Sequence, residues 1–269
     1  MSANCKNGAV PIGSTEMYYA RFGRGDKSLI LLPGLSDGLA TVKGKAFVLS
    51  RPYKDFFSKY TVYMFSRKNE MPDGYNIRQM AEDQAEALKK LGIERTCVVG
   101  VSQGGMIAQQ LAASHPEAVE KLVLAVTAPY ANDTVRSVVS AWKGMAEKGD
   151  HKALMTDTAE KSYSDAYLKK FSRLLPLLSI ATKPRNYRRF LINADAILRF
   201  DARNELDRIK CPVLIIGGAK DKTVGTEAAN ELHSLIKGSR LHIYKEYGHA
   251  AYEEAKDFNR RIFAFLEGI

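Results

Sequence analysis

Hydrophobic positions along the chain fall into two regimes. Short segments at residues 9–12 (AVPI) and 16–22 (EMYYARF) are rich in β-branched and aromatic residues, as expected of strands. Unbroken apolar runs follow: SLILL at 28–32, YTVYMFSR at 60–67, RTCVVG at 95–100, KLVLAV at 121–126, CPVLIIGG at 211–218 and RLHIYKE at 240–246. Runs of this kind without alternation predict strands buried on both faces.

Helical spacing fills the gaps. In IRQMAEDQAEALKKLGI the positions Ile77, Met80, Ala81, Gln84, Leu88 and Leu91 recur at close to one per turn, and GMIAQQLAASH, residues 227–236 and AKDFNRRIFAFLEGI read the same way. Strand and helix alternating at this rhythm predict a mostly parallel central sheet covered by helices on both faces, an α/β fold. Glycines in RFGRGDKS (21–28) predict a hairpin between the second and third strands. That string is not a phosphate loop, because Asp26 interrupts it and a strand rather than a helix follows.

From residue 128 to residue 207 the strand pattern stops. Four amphipathic patterns, at 135–149, 151–163, 165–181 and 184–200, are separated by Gly, Asp and Pro. The predicted organisation is a core domain of residues 1–127 and 208–269, with an inserted helical cap at 128–207.

At 269 residues and 45% hydrophobic content, one large domain with an insertion accounts for the whole chain. No stretch is apolar enough to span a bilayer, and the first residues lack the layout of a secretory signal, so a soluble cytoplasmic protein is expected. Cys5, Cys97 and Cys211 are too scattered for a disulfide framework and read as free thiols. The formal net charge of +10 invites a nucleic-acid role. Its lysines and arginines are dispersed, however, with no basic tract and no recognisable binding motif, so neither nucleic acid nor membrane is an expected partner.

Candidate chemistry starts at VVGVSQGGM (98–106), where Ser102 lies between Gly100 and Gly104 at a strand-to-helix corner. Such a corner strains the backbone, excludes side chains on either side and pushes a hydroxyl into a cleft. A serine hydroxyl is a poor nucleophile without a base. Of the five histidines, His115, His151, His233 and His242 sit at helix ends, in a helix or in a strand, with no accompanying motif. His249 differs: in EYGHAAYEE it follows the last strand and precedes the last helix. Parallel sheets gather their functional loops at the carboxyl ends of strands. Asp221, in the polar loop IIGGAKDKTVG, occupies the same edge and can orient the His249 ring toward Ser102.

With the order Ser102, Asp221, His249, the whole chain resembles an α/β-hydrolase fold protein with a helical cap, of the esterase and enol-lactonase-like branch. GVSQG matches the nucleophile elbow, GAKD the acid loop and YGH the base. The resemblance implies an oxyanion hole made by the backbone N–H groups of Leu35, in LLPGLSDG, and Gln103. Pro33 departs from the family, which usually has a histidine before that glycine, so the loop needs other hydrogen-bond support. Asp37 is expected to cap the following helix. A rival acid after the sixth strand would be Asp133; Asp221 is favoured because Asp133 lies several residues past the strand.

The resemblance implies a serine hydrolase that cleaves a small ester, thioester or lactone through an acyl-enzyme. A serine at the elbow excludes the dehalogenase and epoxide-hydrolase members, which need a carboxylate there. Carbon–carbon bond hydrolysis, acyl transfer and a receptor-like binding protein stay open on the same residues. In the cap, LLPLLSI (174–180) and Trp142 are candidates for apolar wall, and Arg185, Arg188 and Arg189 for contacts to an acidic substrate. No metal or organic cofactor is implied, since histidines and cysteines never cluster at ligand spacing.

Overall fold

The computed structural model describes residues 4–171 and 183–269. Its centre is an eight-stranded sheet of order β1-β2-β4-β3-β5-β6-β7-β8. The strands are β1 (Lys6–Ile12), β2 (Thr15–Gly23), β3 (Lys27–Leu32), β4 (Tyr60–Lys68), β5 (Thr96–Val101), β6 (Val119–Ala125), β7 (Val213–Gly218) and β8 (Arg240–Tyr244). β2 runs antiparallel to both β1 and β4, and every pairing from β4 to β8 is parallel.

The unbroken apolar runs have a direct physical cause. Ile30 and Leu32 of β3, Val98 of β5, Leu122 and Leu124 of β6, and Val213 and Ile215 of β7 point into one core. Their neighbours Leu29, Leu31, Cys97, Val99, Val123, Ala125, Leu214 and Ile216 point into a second core on the opposite face. Both faces are covered, so the central positions of these strands are apolar, and charged residues such as Lys27 and Glu120 are confined to the strand starts. Each buried Leu, Ile or Val contributes about 1.5–3 kcal/mol.

The helices are α1 (Ala46–Ser50), α2 (Ile77–Lys90), α3 (Gln103–Ser114), α4 (Asp133–Glu147), α5 (His151–Ser162), α6 (Asp165–Phe171), α7 (Arg188–Leu198), α8 (Ala228–Leu235), α9 (Ala251–Glu254) and α10 (Phe258–Glu267). A capping box between Asn76 and Gln79 starts α2. Ile77, Met80 and Leu88 of α2 join Met106 and Leu111 of α3 on the first core, and Phe258, Ile262 and Phe265 of α10 close the second. The chain enters and leaves the α4–α7 region through a neck. Tyr130 bridges Asp201, and the amides of Ala131 and Ala202 donate to the carbonyls of Phe200 and Pro129. Val135, Val138, Leu154, Phe190 and Ile192 from this region extend the first core.

The hairpin expected at RFGRGDKS does not form. β2 and β3 lie on opposite sides of β4, so the loop must pass over the start of β4. Its glycines permit the crossing: a Cβ on Gly23 would lie 2.4 Å from the Tyr60 carbonyl oxygen, and one on Gly25 would lie 1.8 Å from the Lys59 carbonyl carbon. Turn composition marked the reversal correctly but carried no information on which strand would be the neighbour. LLPLLSI lies outside the described residues. Among the described residues, no helix is long and apolar enough to cross a membrane.

Candidate active site

Because β3, β5, β7 and β8 run parallel, the loops that follow them open on one edge of the sheet. Ser102 sits directly after β5 with φ 54° and ψ −120°, a left-handed conformation that non-glycine residues rarely adopt. Its neighbours enforce the corner. Cβ atoms on Gly100 and Gly104 would lie 2.4 Å from the Gly104 carbonyl oxygen and 1.9 Å from the Leu32 carbonyl oxygen. The Ser102 amide donates to the Ala125 carbonyl (2.9 Å), and the Thr127 hydroxyl donates to the Ser102 carbonyl (2.8 Å).

Asp221 and His249 are brought to this corner by two loops that pack backbone to backbone. Gly218 and Gly248 allow it, since a Cβ on Gly218 would stand 2.3 Å from the Gly248 carbonyl oxygen. The Lys220 amide also donates to the Tyr247 carbonyl (3.1 Å). Asp221 is 3% exposed, and its Oδ1 accepts from the amides of Thr223 (2.8 Å) and Val224 (2.9 Å). Its Oδ2 lies 2.8 Å from His249 Nδ1, and His249 Nε2 lies 3.0 Å from Ser102 Oγ. An ionised carboxylate only accepts hydrogen bonds, so Nδ1 carries the ring proton and donates it. The Nε2 lone pair therefore faces the Ser102 hydroxyl. Asp133 is exposed at the start of α4.

Leu35 opens a 3₁₀ turn (Leu35–Gly38), and Gln103 opens α3. The first amides of a helical segment have no acceptor within it, so both are available to a ligand. Gly34 brings the first of them close: a Cβ there would lie 3.2 Å from Ser102 Cβ and 3.7 Å from Oγ.

A sequence profile of the alpha/beta hydrolase fold family matches residues 58–256. The chain belongs to the α/β-hydrolase family. Human serine hydrolase BPHL is 26% identical over 265 residues, covering 96% of this chain and 85% of that protein. A pimeloyl-[acyl-carrier protein] methyl ester esterase from Neisseria meningitidis is 31% identical over 186 residues, covering 64% of this chain and 70% of the relative. The enol-lactonase of Burkholderia xenovorans LB400 shares the fold with a TM-score of 0.84 at 22% identity, covering 97% of this chain and 100% of its own. This α/β-hydrolase is accordingly an enzyme.

Among the residues expected to meet substrate, Arg189 departs from expectation. Arg189 is not free for a substrate carboxylate. Its guanidinium donates to the carbonyls of Asp37 (3.0 Å), Lys68 (2.8 Å) and Arg67 (2.8 Å), and to Asp37 Oδ2 (2.7 Å). Arg188 is exposed and pairs with Asp73 at 2.8 Å, and Arg185 is exposed. Arg188 and Arg189 line a cleft of about 710 Å³ together with Lys68 and Glu70, and none of Ser102, Asp221 or His249 contributes to its lining. Trp142 is 5% exposed, and its indole N–H donates to Asp157 at 2.7 Å, tying α4 to α5.

Asp37 is a second correction. It lies inside the 3₁₀ turn, 2% exposed, and caps no helix. It accepts from Arg189 and from the Arg67 amide (3.0 Å), and the Arg67 guanidinium stands 3.9 Å away. Burial alone would push the Asp37 carboxyl up; the guanidinium of Arg189, then that of Arg67, outweighs it and holds the group below its ordinary 3.8. Burial pushes Arg67 down to about 10, against the attraction of Asp37.

A carboxyl that titrates lower in the folded chain than in the unfolded one stabilises the fold fully above about pH 5, and this contribution drains away as pH falls through the native value. Asp37→Asn should therefore lose about 3 kcal/mol near neutral pH, and the loss should shrink as pH falls below the ordinary carboxylate range. Urea unfolding across that range tests the sign; a parallel loss at every pH would refute it.

Sequence reasoning missed Arg67 and the Asp37 cluster. One signal was available: a charged residue closing the otherwise apolar strand YTVYMFSR, where only a buried partner makes a guanidinium tolerable.

Proposed function

We propose that this enzyme cleaves a small carboxylic ester, thioester or lactone through an acyl-enzyme on Ser102. The observation that carries the reading is the unbroken hydrogen-bond chain from Ser102 Oγ through His249 to buried Asp221, with links of 3.0 and 2.8 Å. Ser102 Oγ attacks the substrate carbonyl carbon while its proton moves to His249 Nε2. The amides of Leu35 and Gln103 receive the negative charge that develops on the carbonyl oxygen, aided by the positive end of α3. The bond to the leaving oxygen or sulfur then breaks, and His249 returns the proton to it. Water repeats the sequence: His249 takes its proton, its oxygen attacks the acyl carbon, and Ser102 leaves as the hydroxyl with the acid product.

The esterase relative supports an ester as the reacting group. Residues 128–207 serve as the cap over the site in this reading. The acidic-substrate preference is not carried forward, because Arg189 is committed to Asp37. A fluorophosphonate probe should label Ser102 stoichiometrically, and a short p-nitrophenyl ester should turn over with release of acid. Absence of both in a folded sample refutes the reading.

A further inference from the structure

We propose that Arg67 is a positioning residue that sets the spacing of the two oxyanion-hole donors, replacing the support that the proline at position 33 cannot give. The inference rests on the functional reading above and assigns a task to a residue outside the triad. A single atom joins the two halves of the hole. Arg67 Nη2 donates to the Pro33 carbonyl (2.7 Å), just ahead of Gly34 and Leu35, and to Gln103 Oε1 (2.9 Å), on the residue that carries the other donor.

Arg67 and the side chains of Asp37 and Gln103 beside it are buried. The Arg67 side chain is 3% exposed and that of Asp37 is 1% exposed. Gln103 is 0% exposed, and its side-chain Nε2 donates to the Asn193 carbonyl (3.0 Å) in α7. α7 also presses on the Leu35–Gly38 turn, where a Cβ on Gly38 would stand 2.8 Å from Phe190 Cα. A guanidinium suits the task because one planar nitrogen presents two hydrogens at a fixed angle; an ammonium keeps the charge but not the fork. Two donors held at fixed separation stabilise a developing oxyanion without reorganising during the reaction.

The test separates positioning from plain stabilisation. Arg67→Lys, Arg67→Met and Gln103→Met are compared with wild type for p-nitrophenyl ester kinetics, for inhibition by a trifluoromethyl ketone, and for Tm. The ketone forms a tetrahedral adduct whose oxygen occupies the hole. We expect kcat to fall about 10²-fold and the ketone Ki to rise by a similar factor. KM should stay within about twofold, because ground-state binding is untouched. Arg189→Lys weakens the same ion cluster without touching Pro33 or Gln103, and is expected to lower Tm while kcat stays within about threefold.

Folded Arg67→Lys with kcat and Ki within about threefold of wild type overturns the proposal, as does a rate loss in Arg189→Lys that matches it at equal Tm. Should Arg67→Met not fold, the Lys and Gln103→Met variants carry the same comparison. Amide hydrogen exchange gives a readout independent of turnover. Exchange at Leu35 and Gln103 should rise about tenfold in Arg67→Lys, and unchanged exchange overturns the inference even if the ester is not a substrate.

Discussion

Ser102→Ala is expected to lower kcat on a p-nitrophenyl ester by about 10⁴-fold or more and to abolish fluorophosphonate labelling. Without the hydroxyl no acyl-enzyme forms, and His249 and the hole are left to assist water alone. Asp221→Asn should be nearly as damaging, at about 10⁴-fold, although its size is unchanged. The carboxamide can present an N–H to His249 Nδ1, and the ring then keeps its proton on Nε2, where it faces Ser102 with the wrong polarity. The strained backbone adds a stability signature. Ser102 holds φ 54°, so Ser102→Gly should stabilise the fold by about 1 kcal/mol while destroying activity. Retention of more than a tenth of wild-type kcat in Ser102→Ala would refute the assignment.

Gly104→Ala is expected to disrupt the junction of β3 and α3 beside the site. The added Cβ would sit 1.9 Å from the Leu32 carbonyl oxygen, 2.5 Å from the Leu32 carbonyl carbon and 2.7 Å from the Pro33 carbonyl oxygen. These are backbone atoms at the end of a central strand, with no rotamer to absorb the clash. α3 has to back away from β3, and the two proposed donors, Leu35 and Gln103, sit on the two segments being driven apart. A loss of about 3 kcal/mol is expected, together with loss of turnover. Gly144→Ala in α4 is the matched control. Nothing lies within 4 Å of its added Cβ, so helix propensity alone should stabilise by about 0.5–1 kcal/mol. Urea midpoints compare the two directly; similar values for both variants would refute the steric argument.

The central sheet was legible because burial on both faces writes itself into the sequence as uninterrupted runs at β3, β5, β6 and β7. The Ser102, Asp221 and His249 positions were legible for a different reason: each follows a readable strand and stands beside glycine or in a polar loop, which fixes its edge without any knowledge of side-chain contacts. Long-range partnership left no such trace. Whether β2 pairs with β3 or with β4 depends on strand order, and whether Arg189 meets a substrate or Asp37 depends on where α7 lands. Asp37 looked like a cap because aspartate commonly is one. Only the arrival of two guanidinium groups from distant segments, β4 and α7, turned it into a buried counter-ion.

The corner between α5 and α6 is tied to the chain just past His249. The Ala250 amide donates to the Ser162 carbonyl at 2.8 Å, the Ser164 amide donates to Glu254 at 3.0 Å, and the Tyr163 hydroxyl donates to Glu253 at 2.6 Å. In the proposed reading, where residues 128–207 roof the site, lifting this corner would pull on the segment next to His249. On that reading, a displacement at this corner would draw the imidazole away from Ser102 and suspend turnover for as long as it lasted.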